Sequence, residues 1–239
     1  MPVQRTLPVE APTEEVAGKK YAIGELFQFY DGASLEDILR IKDAGAGRWL
    51  APTAPFPIPD PENPKEQPNK VLYPTVEHYI AAMHYKLATN KPEAAISLLS
   101  REGSIHQKYL QQRQLETNDG ARELPKKRDY ELLREESEEV KKAIRPAQLK
   151  KEGAKFDAAK WATVKDKVLE DALTYRWKHD ARLRKIVQAA KEQGKTLLYY
   201  TPGSGASNLG GIRKANTGMI QGENRIGKIL MKLAAFPGY

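Results

Sequence analysis

Cysteine is absent from the 239 residues. Disulfides, thiolate metal sites and a cysteine nucleophile are therefore excluded. Histidine is scarce, with four residues in all, and their scatter gives no zinc-ligand spacing. Neither a metal nor a cofactor is expected. No apolar run reaches the ~20 residues of a membrane-spanning helix, because proline, lysine or glycine breaks the longest stretches. The opening segment carries Glu10, Glu14 and Glu15 and no apolar core. That is neither a secretory signal nor a typical transit peptide. The expectation is an intracellular protein, in the cytoplasm or an organelle matrix, with no membrane span.

Positive charge is plentiful. The formal net charge is +8, with 40% hydrophobic and 29% charged residues. This is an ordinary soluble balance with a polar lean, and the length suits one good-sized domain with additions or two small ones. A basic surface fits nucleic acid, an anionic nucleotide or an acidic protein neighbour. It fits a solvated lysine-rich exterior equally well.

Along the chain, residues 1–20 read as an extended, proline-punctuated arm, and residues 23–30 as a strand or buried tether. Ser34-Leu35-Glu36-Asp37 predicts a capped helix to about Lys42, ended by Gly45. Residues 51–68 are too rich in proline for a helix or central strand. Asn90 and Pro92 open a helix through Leu99, and Gly103-Ser104 cap another over 105–115. Residues 131–144 have helical composition but a thin apolar stripe of Leu133, Val140 and Ile144. They read as a solvated charged helix or, more sharply, as a contact arm for another chain. Longer helices are predicted over 157–178, with Val164, Val168, Ala172 and Tyr175 inward, and over 181–193, capped by Asp180. Around that junction Arg176, Lys178, Arg182, Arg184 and Lys185 concentrate positive charge. Residues 196–201 are strand-prone and run into a Gly/Ser loop, 202–211. Such a loop can offer backbone amides to phosphate, although it matches no nucleotide fingerprint.

The strongest start signal lies at Pro74-Thr75-Val76-Glu77-His78-Tyr79. Proline stops what precedes it, Thr75 can cap a helix, and Glu77 falls in the first turn, where the dipole favours a carboxylate. Glu77, Ala81 and His84 share one helical side. A carboxylate and an imidazole on one face are a candidate acid/base pair.

The pattern P-T-x-E-H-Y closely resembles the signature opening the first long helix of the NADAR, or YbiA-like, family. Gly222-Glu223-Asn224-Arg225-Ile226-Gly227 resembles that family's closing G-x-N-x-L-G helix, and Trp161 fits a family tryptophan. The resemblance implies a mainly α domain with minor β structure over 29–236. A proline-rich arm (1–28) precedes it, a charged helical insertion (116–155) interrupts it, and a tail (237–239) follows. It implies N-glycosidase chemistry on ADP-ribose-type linkages. If the chain is active, Glu77 and His84 are its catalytic residues, and the implied ligand contacts are Thr75, His78, Tyr79, Trp161, Gly210, Gly222 and Asn224.

Departures from the family pattern fall on its polar positions. His84 stands for a lysine and Ala81 for a glutamine. Ala51-Pro52-Thr53 replaces an asparagine-bearing segment, and tyrosine replaces the glutamate at the strand end, Leu198-Tyr199-Tyr200. Cleavage of a sugar–base bond needs negative charge near the sugar and a group to activate water or the leaving base. The leading expectation is a catalytically degenerate NADAR-like protein serving as a structural or binding subunit of a larger assembly, with other protein subunits as partners. The alternatives are an active N-glycosidase with a nucleotide or ADP-ribose ligand, and a nucleic-acid-binding accessory protein using the basic corner at 176–185.

Overall fold

A computed structural model describes residues 19–33, 36–43, 45–98, 102–115, 125–201 and 209–239. After a single 3-10 turn (Ile23–Glu25), the elements in order are β1 (Leu26–Phe29), the one-turn α1 (Ala46–Trp49), β2 (Ile58–Pro59), β3 (Leu72–Tyr73) and α2 (Val76–Ala88). A 3-10 segment (Pro92–Leu98) leads to α3 (Ile105–Leu115), α4 (Lys127–Ala143), α5 (Pro146–Lys151), α6 (Ala158–His179) and α7 (Ala181–Glu192). The chain closes with β4 (Thr196–Tyr199), β5 (Ile212–Arg213), β6 (Ile220–Gln221) and α8 (Arg225–Leu233). The architecture is mainly α, as expected. Among the described residues no helix is long and apolar enough to cross a membrane.

Helix α2 is the centre. Thr75 caps it, its Oγ1 accepting the His78 amide at 3.2 Å. Buried positions fall on nearly every side, including Val76, Tyr79, Ala82, Met83 and Tyr85. A helix apolar all round must be enclosed, and here α6, the 3-10 segment and α4 enclose it. Helices α6 and α7 form as expected, capped by Asp157 and Asp180, whose carboxylates accept the amides of Lys160 and Leu183. Gly194, at φ +65, ends α7.

β1 pairs in parallel with β4, from Leu26↔Thr196 to Phe29↔Tyr199. The strand thus begins inside the segment assigned to the N-terminal arm, and Phe27 and Phe29 sit in the core. Residues 1–18 lie outside the described residues. β2 and β3 make a two-residue antiparallel ladder, all that the proline-dense segment allows.

Some expectations are corrected. Residues 36–43 form turns, not a helix; Ser34 and Leu35 of the expected cap lie outside the described residues. The Asp37 carboxylate accepts the amides of Ile41 and Lys42, and Arg40 and Lys42 take positive φ. Here a short side chain has outcompeted the helix for backbone amides. The segment after Asn90 is 3-10 rather than α.

The charged segment is corrected more deeply. Helix α4 begins at Lys127 and packs on this chain's own α2 and α3. Tyr130, Leu133, Ser137 and Val140, spaced three and four apart, are buried. One face of it is therefore a wall of the domain, while Glu131, Leu132, Arg134, Glu135 and Glu139 stay exposed on the other.

Candidate functional site

Glu77 projects from the first turn of α2 with 11% of its side chain exposed. Its Oε1 lies 3.1 Å from Lys141 Nζ on α4, while Oε2 is buried with no hydrogen-bond partner among the described residues. Lys141 also reaches Glu138 Oε1 at 3.0 Å. Burial pushes the Glu77 carboxyl up to about 7; the Lys141 charge pulls it down, and Asp31 and Glu138 push it up again. Burial opposes the Lys141 charge, yet Glu77, Glu138 and Asp31 outweigh burial and raise its pKa. Burial first, then Glu77, Asp31 and Glu138, drives the Tyr199 phenol well above its ordinary range. Four separate parts of the chain thus contribute to one electrostatic cluster: the turn after β1, α2, α4 and β4.

No hydrogen bond or ion pair among the described residues joins Glu77 to His84. The His84 ring stacks on Phe156 at 4.4 Å and 19°, and Trp161 meets it edge-on at 4.7 Å. Its Nδ1 is buried with no hydrogen-bond partner among the described residues, and burial lowers its pKa to about 4. The imidazole is neutral and held in an aromatic box. Thr75 Oγ1 and His78 Nδ1 are 2.9 Å apart. Tyr79 lies edge-on to Tyr73 with centroids 6.0 Å apart, its phenol raised to about 12 by burial.

Asn224, Gly210 and Gly222 meet at the end of β4. Asn224 adopts φ 49, donates from Nδ2 to the Leu197 carbonyl at 2.8 Å and accepts the Tyr199 amide on Oδ1 at 3.0 Å. The Gly210 carbonyl accepts the Asn224 amide at 3.0 Å. A Cβ on Gly222 would lie 2.6 Å from that same carbonyl oxygen. Side chain and backbones here brace one another. The Gly/Ser loop lies, over 202–208, outside the described residues.

The basic corner is not a free cationic surface. Arg176 is fully buried; it bonds Asp180 Oδ2 at 3.1 Å and the Ala51 carbonyl at 3.0 Å, and also bonds the Trp49 carbonyl. Arg182 grips Asp43 at 2.6 and 2.8 Å and lies over the Trp49 ring. Arg184 bonds the carbonyls of Trp177 and Lys178. Lys178 and Lys185 remain exposed.

A cavity of about 820 Å³ opens between the 3-10 segment, the start of α3, α4 and α5. His78, Glu102, Glu136, Glu139, Lys142 and Glu152 are among its lining residues. Among the described residues no group of three or more His, Asp or Glu could hold a metal ion.

Sequence reasoning singled out Glu77 but missed Asp31, Glu138 and Lys141. The only local trace was the i, i+3 spacing of Glu138 and Lys141 on a helix, which says nothing about Glu77. The cavity left no sequence signal at all.

No family model and no curated protein matches the chain. Among solved structures there is a distant likeness to the NMR structure of the E. coli protein YbiA. The identity is 17% and the TM-score 0.47, over 90% of this chain and 86% of that one.

Proposed function

We propose that this chain is a binding or structural subunit, built on a NADAR-like frame and catalytically silent as a glycosyl hydrolase. The observation that carries the reading is the ammonium of Lys141, 3.1 Å from Glu77. An oxocarbenium-like transition state needs uncompensated negative charge beside the sugar, and Lys141 spends that charge inside the protein. His84 adds no base, being enclosed by Phe156 and Trp161. Asn224, Gly210 and Gly222 are committed to backbone packing. The test is size-exclusion chromatography with light scattering on native extract, paired with a turnover assay on ADP-ribosylated nucleotides. Elution within a larger assembly, without turnover by the pure chain, is expected; a free monomer that turns substrate over would overturn the reading.

A second reading, an N-glycosyl hydrolase acting on ADP-ribose-type linkages, is favoured by one feature. Burial pushes the Glu77 carboxyl up to about 7, and one of its buried oxygens has no hydrogen-bond partner among the described residues. General acids and bases are tuned to this range. On this reading turnover is measurable and Glu77→Gln abolishes it.

A further inference from the structure

The chain carries a net charge of +8, yet its cavity is acidic. Among the described residues Glu102, Glu136, Glu139 and Glu152 line it, against the single ammonium of Lys142. Glu136 is already engaged, taking the Ile105 amide at 2.8 Å and His106 Nδ1 at 2.6 Å. Glu152 accepts from Tyr85 Oη at 2.8 Å and Gln148 Nε2 at 2.7 Å. No hydrogen bond or ion pair among the described residues holds Glu102 or Glu139, and both are exposed.

An independent pointer is His78, which also lines the cavity although only 3% of it is accessible. Its Nδ1 is taken by Thr75 Oγ1 at 2.9 Å, and the His106 ring lies edge-on at 4.6 Å. Its Nε2 has no hydrogen-bond partner among the described residues. Burial, and then His106, holds its pKa well below the usual value, so the ring is neutral. In the tautomer that donates from Nδ1 to Thr75, Nε2 faces a ligand as an acceptor. Nε2 is not among the buried atoms that lack a partner; it stays open on the cavity side, where a donor from a bound molecule takes the place of water.

The ligand's shape follows from the spread of the carboxylates. They come from the approach to α3, from α4 and from the end of α5, and no three of the cavity's described acidic and histidine groups converge on one point charge. A divalent metal needs convergent oxygen ligands; a chain of separated ammonium groups does not. The volume lies within the roughly 300–1,000 Å³ of small-molecule sites. We propose that this cavity binds an aliphatic polyamine, its ammonium groups distributed over Glu102, Glu139, Glu136 and Glu152, with one donating to His78. The site is separate from Glu77 and holds whether or not that carboxylate is catalytic.

The experiment is calorimetric titration of the full chain with spermidine, beside arms with Mg²⁺ and with sodium chloride at matched ionic strength. Saturable spermidine binding that neither arm reproduces is expected. The double variant Glu102→Gln/Glu139→Gln should weaken it by roughly tenfold, about 1.4 kcal/mol, with an unchanged melting temperature. Glu131→Gln, an exposed charge outside the lining, should leave it unaltered. Absence of saturation, equal binding of Mg²⁺, or equal weakening by Glu131→Gln would each overturn the proposal.

Discussion

Lys141 Nζ sits 3.1 Å from Glu77 Oε1, joining the first turn of the central helix to a helix rich in charge. The pair fixes the protonation chemistry of the site. Burial raises the Glu77 carboxyl, the Lys141 cation lowers it, and the Asp31 and Glu138 charges raise it again, leaving it near 7 instead of its ordinary 4.5. Replacing Lys141 with methionine removes the cation and keeps the burial. The Glu77 pKa should then rise above about 7, read from the carboxyl carbon resonance across a pH titration. An unchanged midpoint would show that the two groups do not interact.

A raised carboxyl pKa also acts on stability. The folded state binds the Glu77 proton more tightly than the unfolded chain does. The stabilising contribution is therefore complete below about pH 4.5 and lost as pH rises through about 7. Its size is on the order of 3 kcal/mol. His84 works in the opposite direction. Its folded pKa of about 4 lies below the ordinary 6.5, so its contribution is complete above 6.5 and lost as pH falls through 4. Between these limits the two slopes oppose each other. Glu77→Gln should expose a stability that climbs with pH, and His84→Leu one that declines with pH, both read by urea denaturation from pH 4.5 to 6.5. Parallel profiles for both variants would refute the assignment.

Legibility followed the reach of the signals. The cap at Thr75 and those at Asp157 and Asp180 are local, one side chain accepting an amide three residues on, and they marked the helices well. Asp37, read as the acid of a capping box opened at Ser34, instead closes turns at Ile41 and Lys42 with its carboxylate; local chemistry permits either outcome. The stripe on α4 was underestimated because Tyr130 lies just before the segment assigned to it and Ser137 is polar, yet both are buried. Pairing Glu77 with Lys141 needs α4 to fold back across α2, a tertiary contact that no helical period encodes. Positive charge at 176–185 was plain in the sequence. What each cation faces was not.

The corner formed by Asn224, Leu197, Tyr199 and Gly227 bears on whether Asn224 is a ligand contact or a brace. Its side-chain amide satisfies the Leu197 carbonyl and the Tyr199 amide. Asn224→Ala leaves both bare and puts alanine at φ 49, a left-handed conformation that asparagine tolerates better. A loss of about 2 kcal/mol or more is expected. Gly227→Ala should be comparably damaging, since its Cβ would lie 2.5 Å from Asn224 Oδ1 and 2.6 Å from the Leu197 carbonyl oxygen. Denaturant midpoints decide the matter. If Asn224→Ala kept full stability, the bracing role would fail.

Arg176 supplies the sharpest contrast between charge on a page and charge in a fold. Its guanidinium is sealed in the core, over the rings of Trp49 and Phe56 at 5.6 and 5.8 Å. Asp180 Oδ2 is shared between Arg176 Nε at 3.1 Å and Trp49 Nε1 at 2.9 Å, while its other oxygen caps α7. Arg176→Met strands the Asp180 charge and bares the carbonyls of Trp49 and Ala51. Removing one partner of such a buried pair typically costs about 3–5 kcal/mol. Combining it with Asp180→Asn should cost less than the sum of the single changes, because both belong to one network. Lys178→Glu and Lys185→Glu, at exposed positions of the same corner, should stay within about 0.5 kcal/mol of the parent. A loss under about 1 kcal/mol for Arg176→Met in urea denaturation would mean that the arginine is not the keystone of this junction.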